Sequence, residues 1–318
     1  MEKLTEGYFP QLEKWFSRVD GVTADHLRWH QVVEYVNLND DVLPSSGFCI
    51  LGFKSDKGIE LNKGRKGAFF APDTIRNYIA SLPWHFGNKK LYDGGNVVCY
   101  EDLKSCQDIL AEKIMVILKA GIFPIVLGGG HEVAFGSIIG DFLGNHSMPS
   151  VINFDSHFDL REVFSGPTSG NSFSQASNMA NKLGQAFQYM CIGIQKSSNT
   201  KYLFDMAEDI GAQWINLDDL TLNFDKSINT VMNFLNKSEK IHLTLCMDVF
   251  SSDIAPGVSA PQPFGISLPE FIRLFEIILK SGKVNSFDIA EVSPPLDIDD
   301  RTSRLAAHIL FRLLDNLA

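Results

Sequence analysis

Two hydrophobic patterns alternate along the chain. Short, nearly unbroken apolar runs recur at 48–53 (FCILGF), 122–127 (IFPIVL), 151–154 (VINF), 190–194 (MCIGI), 241–249 (IHLTLCMDV) and 286–290 (SFDIA). Each has the length of a strand rather than of a helix. Longer segments between them space their apolar residues three or four apart, as in 102–120, where Leu103, Cys106, Leu110, Ile114 and Leu118 fall on one helical face. Segments 73–80, 200–210, 227–235, 268–279 and 301–317 share that spacing. Strands alternating with helices predict a mostly parallel sheet covered by helices on both faces. Stretches 160–176, rich in Ser, Gly and Asn, and 251–265, rich in Pro, Ser and Gly, read as loops that closely follow strands. In open α/β sheets ligands bind beyond the carboxyl ends of the strands, so chemistry is expected at these loops. The first 45 residues, with Trp15 and Trp29, are expected to form a helical or irregular extension packed on a single domain spanning residues 1–318.

Composition narrows the partners. The 318 residues are 45% hydrophobic and 21% charged, which suits a folded soluble chain and excludes disordered or collagen-like ones. Acidic residues outnumber basic ones by 38 to 28, a formal charge of -10, which repels a phosphate backbone and argues against nucleic acid as a partner. The five cysteines, Cys49, Cys99, Cys106, Cys191 and Cys246, contain no CxxC pair, so no disulfide framework is expected. The N-terminal stretch lacks the apolar centre of a secretory leader, and no run approaches the roughly 18 apolar residues of a membrane helix. The expectation is a cytoplasmic protein with no membrane partner.

The position of the carboxylates changes the picture further. The run at 122–127 ends in Gly128-Gly129-Gly130-His131-Glu132, where glycines allow a sharp turn that brings His131 to the sheet edge. The run at 151–154 ends in Asp155, His157 and Asp159, which share one face of an extended segment. The run at 241–249 delivers Asp248, and 286–290 leads into Glu291. Taken singly, His131 reads as a loop residue and Asp248 as a turn cap. Together, acidic and imidazole groups at four strand ends would repel and stay unpaired unless a cation lies between them. Carboxylate and imidazole donors without a thiolate pair favour a hard or borderline cation such as Mn2+. Two ions bridged by shared carboxylates and a water would use most of these donors and lower that water's pKa, which points to hydrolysis by a bridging hydroxide. His26 and His30, four apart, have no clear acidic partner and read as surface residues.

The motifs GGGHE at 128–132, NFDSHFDLR at 153–161, MDVFSSDIAPGVSAP at 247–261 and AEVSP at 290–294, with GRKGAFFAPDTIR at 64–76, resemble the ureohydrolase superfamily of arginases, agmatinases and formimidoylglutamases. The resemblance covers residues 48–318. It implies a three-layer α/β/α sandwich around a mostly parallel eight-stranded sheet and a site for two Mn2+ per chain. On that reading His131 binds one ion, His157 and Asp248 bind the other, Asp155 bridges them and Asp159 completes the ligand set. The family's bridging aspartate of the third motif is replaced by Cys246. A thiolate is softer than manganese prefers, so Cys246 is either a ligand in a rebuilt site or a small buried strand residue.

Within the superfamily, FDLR, TSGNSF at 168–173 and CIGIQKSSNT at 191–200 resemble formimidoylglutamases of histidine degradation. Arginase-like members carry a proton-shuttling histidine where this chain has Phe173. The resemblance implies a small-molecule substrate, N-formimidoyl-L-glutamate, which is converted with water to glutamate and formamide. Glu291, which would hold the cationic amidine, and Asp159 are then the catalytic residues, and Arg161, Asn171 and Asn199 bind substrate. Arg161 reads equally as a surface cation paired with Glu162, and Glu132 as a partner orienting His131. Two alternatives stay open: a hydrolase of another guanidino or amidine compound, and a catalytically weakened metal- or ligand-binding relative, because Cys246 replaces the bridging aspartate. Family members often form trimers or hexamers, so a homo-oligomer is raised but left open.

Overall fold

The structure, a computed structural model, describes residues 5–11, 13–164 and 166–317. Residues 1–4 and 12 of the N-terminal segment, Ser165 of the expected 160–176 loop, and Ala318 lie outside them. The six apolar runs all become strands, and four further strands join them in one sheet. In chain order these are β1 (Gly7–Phe9), β2 (Glu34–Tyr35), β3 (Phe48–Ser55), β4 (Leu91–Cys99), β5 (Phe123–Leu127), β6 (Ser150–Phe154), β7 (Tyr189–Ile194), β8 (Gln213–Asn216), β9 (Ile241–Cys246) and β10 (Val284–Ala290). The expected eight-stranded parallel sheet is present, in the order β4-β3-β5-β10-β9-β6-β7-β8. Two short strands extend it to ten: β1 runs antiparallel and β2 parallel to β4.

Those two strands correct the reading of the first 45 residues as helical or irregular. An edge strand exposes a row of unpaired N–H and C=O groups, and β1 and β2 cover that row on β4. The sequence hides β4 because Asp93, Gly94, Gly95 and Asn96 interrupt its apolar pattern. The β3/β4 register shifts at this point, between Ile50 and Gly52. Gly95 sits at φ +80°, and a Cβ there would lie 2.1 Å from the Phe9 carbonyl oxygen, so only glycine lets β1 approach. Strand β8, with four residues, is too short to show a pattern.

Helices cover both faces. Ala71–Ala80, Phe224–Lys237, Leu268–Lys280 and Arg301–Leu317 bury Ile75, Leu274, Phe275 and Leu313 against Ile125, Phe154, Leu243 and Phe287 of the sheet. Leu103–Lys119, Val133–Asn145 and Ser172–Lys182 close the other face. The last of these begins inside the stretch expected to be loop. Asp102 starts its helix as the sequence suggests, its carboxylate accepting from the Ser105 N–H at 3.1 Å. No described helix is long and apolar enough to cross a membrane.

Beneath β1 lies a buried ion pair. Arg76 donates from Nε to Asp93 Oδ2 and from Nη2 to Asp93 Oδ1, both at 2.9 Å. Trp15 Nε1 reaches the same carboxylate at 2.8 Å, which ties the N-terminal segment to β4. Replacing Arg76 by Leu leaves a sealed carboxylate without its cation and is expected to destabilise the chain by about 3–5 kcal/mol. Urea unfolding followed by circular dichroism measures this. A loss below about 1 kcal/mol, the range of exposed pairs, would contradict it.

Candidate metal centre

Strands β5, β10, β9 and β6 are consecutive in the middle of the sheet and parallel, so their carboxyl ends share one edge. Past β5 the chain turns through Gly128–Gly130 and enters helix Val133–Asn145, leaving His131 at the turn. Past β6 come Asp155, His157 and Asp159. Cys246 is the last residue of β9, and the following 3-10 turn Met247–Val249 carries Asp248. Glu291 follows β10. Asp159 and Glu291 adopt left-handed φ of +48° and +66°. Such non-glycine conformations cost of order 1–3 kcal/mol and persist where the surroundings over-determine them, commonly at functional sites.

Asp155 is fully buried and stands at the centre. Its Oδ2 lies 2.9 Å from His131 Nδ1 and its Oδ1 lies 3.4 Å from His157 Nδ1. Asp159 Oδ2 is 3.0 Å from His131 Nδ1, and Asp248 Oδ2 is 3.2 Å from His157 Nδ1. Donor atoms of His131, Asp155 and Cys246 all lie within 4.8 Å of one another, as do those of Asp155, His157 and Asp248. The two groups share Asp155. Two cations therefore fit the donors, one per group. The fit has a further sign: His131 Nδ1 and Asp248 Oδ1 are buried and make no hydrogen bond of acceptable geometry, although carboxylates stand close to that nitrogen. Buried polar atoms are rarely left so without a partner.

The electrostatics favour positive charge here. Burial alone would lower the pKa values of His131 and His157, yet the surrounding carboxylates of Asp155, Asp159 and Asp248 draw both well above the usual imidazole value. Burial would raise Asp155, but the two imidazoles hold it well below the usual carboxylate range. Asp159 and Asp248 are raised by burial and by the charge of Asp155. Burial, then Glu132 and Asp248, push Glu291 well up. The Cys246 thiol is likewise pushed up by burial and by four carboxylates around it.

These groups floor a cavity of 330 Å³, which His131, His157, Asp159, Cys246, Asp248 and Glu291 all line. Glu291 is fixed there by the His131 N–H, which donates to its Oε1 at 2.9 Å. The exposed side chains of Arg161, Lys63 and Arg65 line the same cavity and bring positive charge to it. Arg161 does not pair with Glu162, whose carboxylate accepts from Tyr202 Oη at 2.7 Å. Lys63 and Arg65 were not anticipated; the signal was a glycine-bounded basic run, Lys63-Gly64-Arg65-Lys66-Gly67. Arg65 is held by the Ser259 and Val258 carbonyls at 2.9 and 2.8 Å, contacts made almost two hundred residues away and therefore invisible locally.

Two expected substrate ligands are not brought to the cavity. Asn171 spends its amide on the Glu162 and Gly166 carbonyls and accepts from the Thr168 N–H, clamping its own loop. Asn199 donates to the Ser156 and Gln195 carbonyls and accepts from the Phe158 N–H. Both amides brace backbone because loops beside a sheet edge carry polar groups that the sheet does not pair. Glu132 does not orient His131; its Oε1 accepts from Ser55 Oγ and the Gly58 N–H, and burial lifts its pKa to about 7. Phe173 is buried behind His131, ring edge to face at 5.4 Å, where it packs rather than relays protons. His26 and His30 bond to separate partners, Thr23 Oγ1 and the Ala80 carbonyl.

A parallel sheet whose central strands converge carboxylates and imidazoles on one cavity is the architecture of a metal-dependent hydrolase. The chain belongs to the arginase family, whose model matches residues 46–315. It is 42% identical over 304 residues to the formimidoylglutamase of Clostridium tetani, covering 92% of this chain and 90% of that one. It is 38% identical over 327 residues to a formimidoylglutamase of Streptococcus pyogenes serotype M3, covering 99% of each. Among solved structures it resembles the Trypanosoma cruzi formiminoglutamase with Mn2+2, at a TM-score of 0.79 and 22% identity, covering 91% of this chain and 98% of that one.

Cys246 lies among the donors, so its replacement is informative. Cys246→Asp puts a hard oxygen donor beside His131 and Asp155 and is expected to tighten Mn2+ binding by about tenfold, read by electron paramagnetic resonance titration. Unchanged affinity would place residue 246 outside the ligand set.

Proposed function

We propose that the chain is a formimidoylglutamase that converts N-formimidoyl-L-glutamate and water to L-glutamate and formamide. The observation that carries this reading is the polarity of the cavity. Carboxylates and imidazoles form its floor, and Lys63, Arg65 and Arg161 add positive charge along its walls. A complementary substrate has a cationic amidine at one end and carboxylates at the other, as formimidoylglutamate does. The formimidoylglutamases of 42% and 38% identity over nearly the whole chain support the same substrate.

His131, Asp155, Asp159 and Cys246 would hold one Mn2+, and His157, Asp155 and Asp248 a second, a reading supported by the donor groups and by the Mn2+2 of the trypanosomal relative. Bound there, the cations would supply Lewis acidity and lower the pKa of a water towards neutrality. Glu291, its carboxylate fixed by the His131 N–H, accepts charge-assisted hydrogen bonds from the amidinium and so orients the reacting carbon over the floor. Asp159 faces both His131 and the cavity, where its carboxylate takes the proton released by the attacking water and returns it to the departing amino nitrogen of glutamate. Arg161, without an ion-pair partner among the described residues, grips a substrate carboxylate through its guanidinium fork. The enzyme is cytoplasmic and assembles as a homo-oligomer on this reading.

Purified chain supplied with Mn2+ is expected to release glutamate from formimidoylglutamate, and absence of release would sink the proposal. Comparable turnover of arginine and agmatine would favour a broader amidine hydrolase instead. The buried Cys246 thiol favours one second reading, a weakened relative, which predicts no Mn2+ uptake at all. Arg161→Met is expected to raise KM for formimidoylglutamate by about 10- to 100-fold, since a hydrogen bond to a charged group is worth about 1.5–3 kcal/mol, with a smaller effect on kcat. An unchanged KM would remove Arg161 from substrate binding.

A further inference from the structure

Strand β9 alternates inside the protein. Leu243 and Leu245 join the apolar core on one face, which leaves His242, Thr244 and Cys246 to the other. Strand β10 does the same: Phe287 and Ile289 join that core, and Ser286 and Asp288 stand opposite His242 and Thr244 in register. All four polar residues are buried. They form one chain of hydrogen bonds. His131 Nε2 meets Thr244 Oγ1 at 3.0 Å, and the Thr244 hydroxyl donates to Asp288 Oδ1. Asp288 Oδ2 meets His242 Nε2 at 2.9 Å, and His242 Nδ1 meets Ser286 Oγ at 2.8 Å. The Ser286 hydroxyl donates in turn to Asp141 Oδ2 at 2.5 Å, where Asn285 also donates at 3.0 Å. The chain thus runs from the candidate metal centre through the two central strands towards their opposite ends.

Such a column is expensive in a sheet interior, because any buried polar group left without a partner destabilises the fold and apolar side chains would avoid the risk. Its task follows from counting protons at Thr244. A threonine hydroxyl has a single proton, and here that proton goes to Asp288. The oxygen is left only to accept from His131, so the ring hydrogen sits on Nε2. In a neutral imidazole the lone pair is then on Nδ1, the nitrogen that faces Asp155 and Asp159 without a hydrogen bond of its own. Among the described residues His157 has no equivalent column; its Nε2 meets the Gln262 amide at 3.5 Å.

We infer that Thr244 and Asp288 are positioning residues that hold His131 in the Nε2–H tautomer and aim Nδ1 at a cation, with His242 and Ser286 steadying Asp288 from below. The inference rests on the two-cation reading of the site. Because the column reaches His131 and, among the described residues, makes no contact with His157, it acts on one cation and spares the one held at His157.

The test uses the purified full-length chain and Mn2+ alone, titrated by electron paramagnetic resonance. In Thr244→Val one of two bound ions is expected to weaken by about 10- to 100-fold, the usual effect of losing a partner behind a metal ligand, while the other is unchanged. Thr244→Ser, which keeps the hydroxyl, is expected to restore the original affinity. Thermal melting of the metal-free variants separates this loss from general destabilisation. Nitrogen-15 histidine spectra of the unsubstituted chain, loaded with diamagnetic Zn2+, are expected to show the His131 proton on Nε2, a result that needs no variant to fold. Equal Mn2+ affinities in Thr244→Val, equal weakening of both ions, or a proton on Nδ1 would overturn the inference while leaving the metal centre intact. An unsubstituted chain that takes up no Mn2+ would instead overturn the metal reading and this inference with it.

Discussion

A carboxylate sealed from water has to be matched by positive charge, and Asp155 is such a carboxylate at the centre of the sheet edge. Both imidazoles of the site turn their Nδ1 atoms towards it, and both groups of candidate donors include it. The rest of the arrangement serves that point. Three glycines after β5 bring His131 within reach, and the 3-10 turn after β9 carries Asp248 to His157. Asp159 and Glu291 hold left-handed backbone conformations at this same edge, of the kind that concentrates at functional sites.

Around this charge the protein builds two opposite environments. On one face of β9 and β10, leucine, isoleucine and phenylalanine pack against four helices, as expected for a parallel sheet buried on both sides. On the other, polar side chains replace them and connect to His131 at the sheet edge. Burial holds the carboxylates of this region in a low-dielectric setting, where their mutual repulsion is strong and so is their attraction for cations. Part of the chain's formal charge of -10 is gathered here. The acidic balance therefore does not exclude an anionic substrate, since Arg161, Lys63 and Arg65 line the same cavity.

The N-terminal third takes part in this design at a distance. Arg76 binds Asp93 and, through it, Trp15, so the segment that covers the β4 edge is anchored by a buried ion pair. The loop between the first helical turns and helix Ala71–Ala80 reaches the cavity, where Arg65 is held by carbonyls of the loop after β9. The cavity is thus assembled from both ends of the sequence.

Strand and helix periodicity made the parallel core legible, because a strand buried on both faces shows as an apolar run wherever it occurs. The candidate ligands were legible for a related reason: each follows such a run directly, and parallel strands must end on the same side. Asp155, His157 and Asp159 stood out by their two-residue spacing, but β6 ends at Phe154 and Asp159 has φ +48°, so the irregular turn after the strand, not one face of an extended segment, brings them together. Strand β4, by contrast, was masked by its Asp-Gly-Gly-Asn centre, and β1 and β2 were too short to register. The hydrogen bonds of Asn171 and Asn199 to backbone were not legible, because composition reports an amide's presence but not which carbonyls it braces. The role of Thr244 rests on a contact between residues 113 positions apart, and that of Arg65 on one across 194. The sequence by itself determined which chemical groups arrive at the sheet edge, because spacing along one strand is local. Only the tertiary structure decided which of them meet, because hydrogen bonds and burial depend on neighbours that folding brings from elsewhere in the chain.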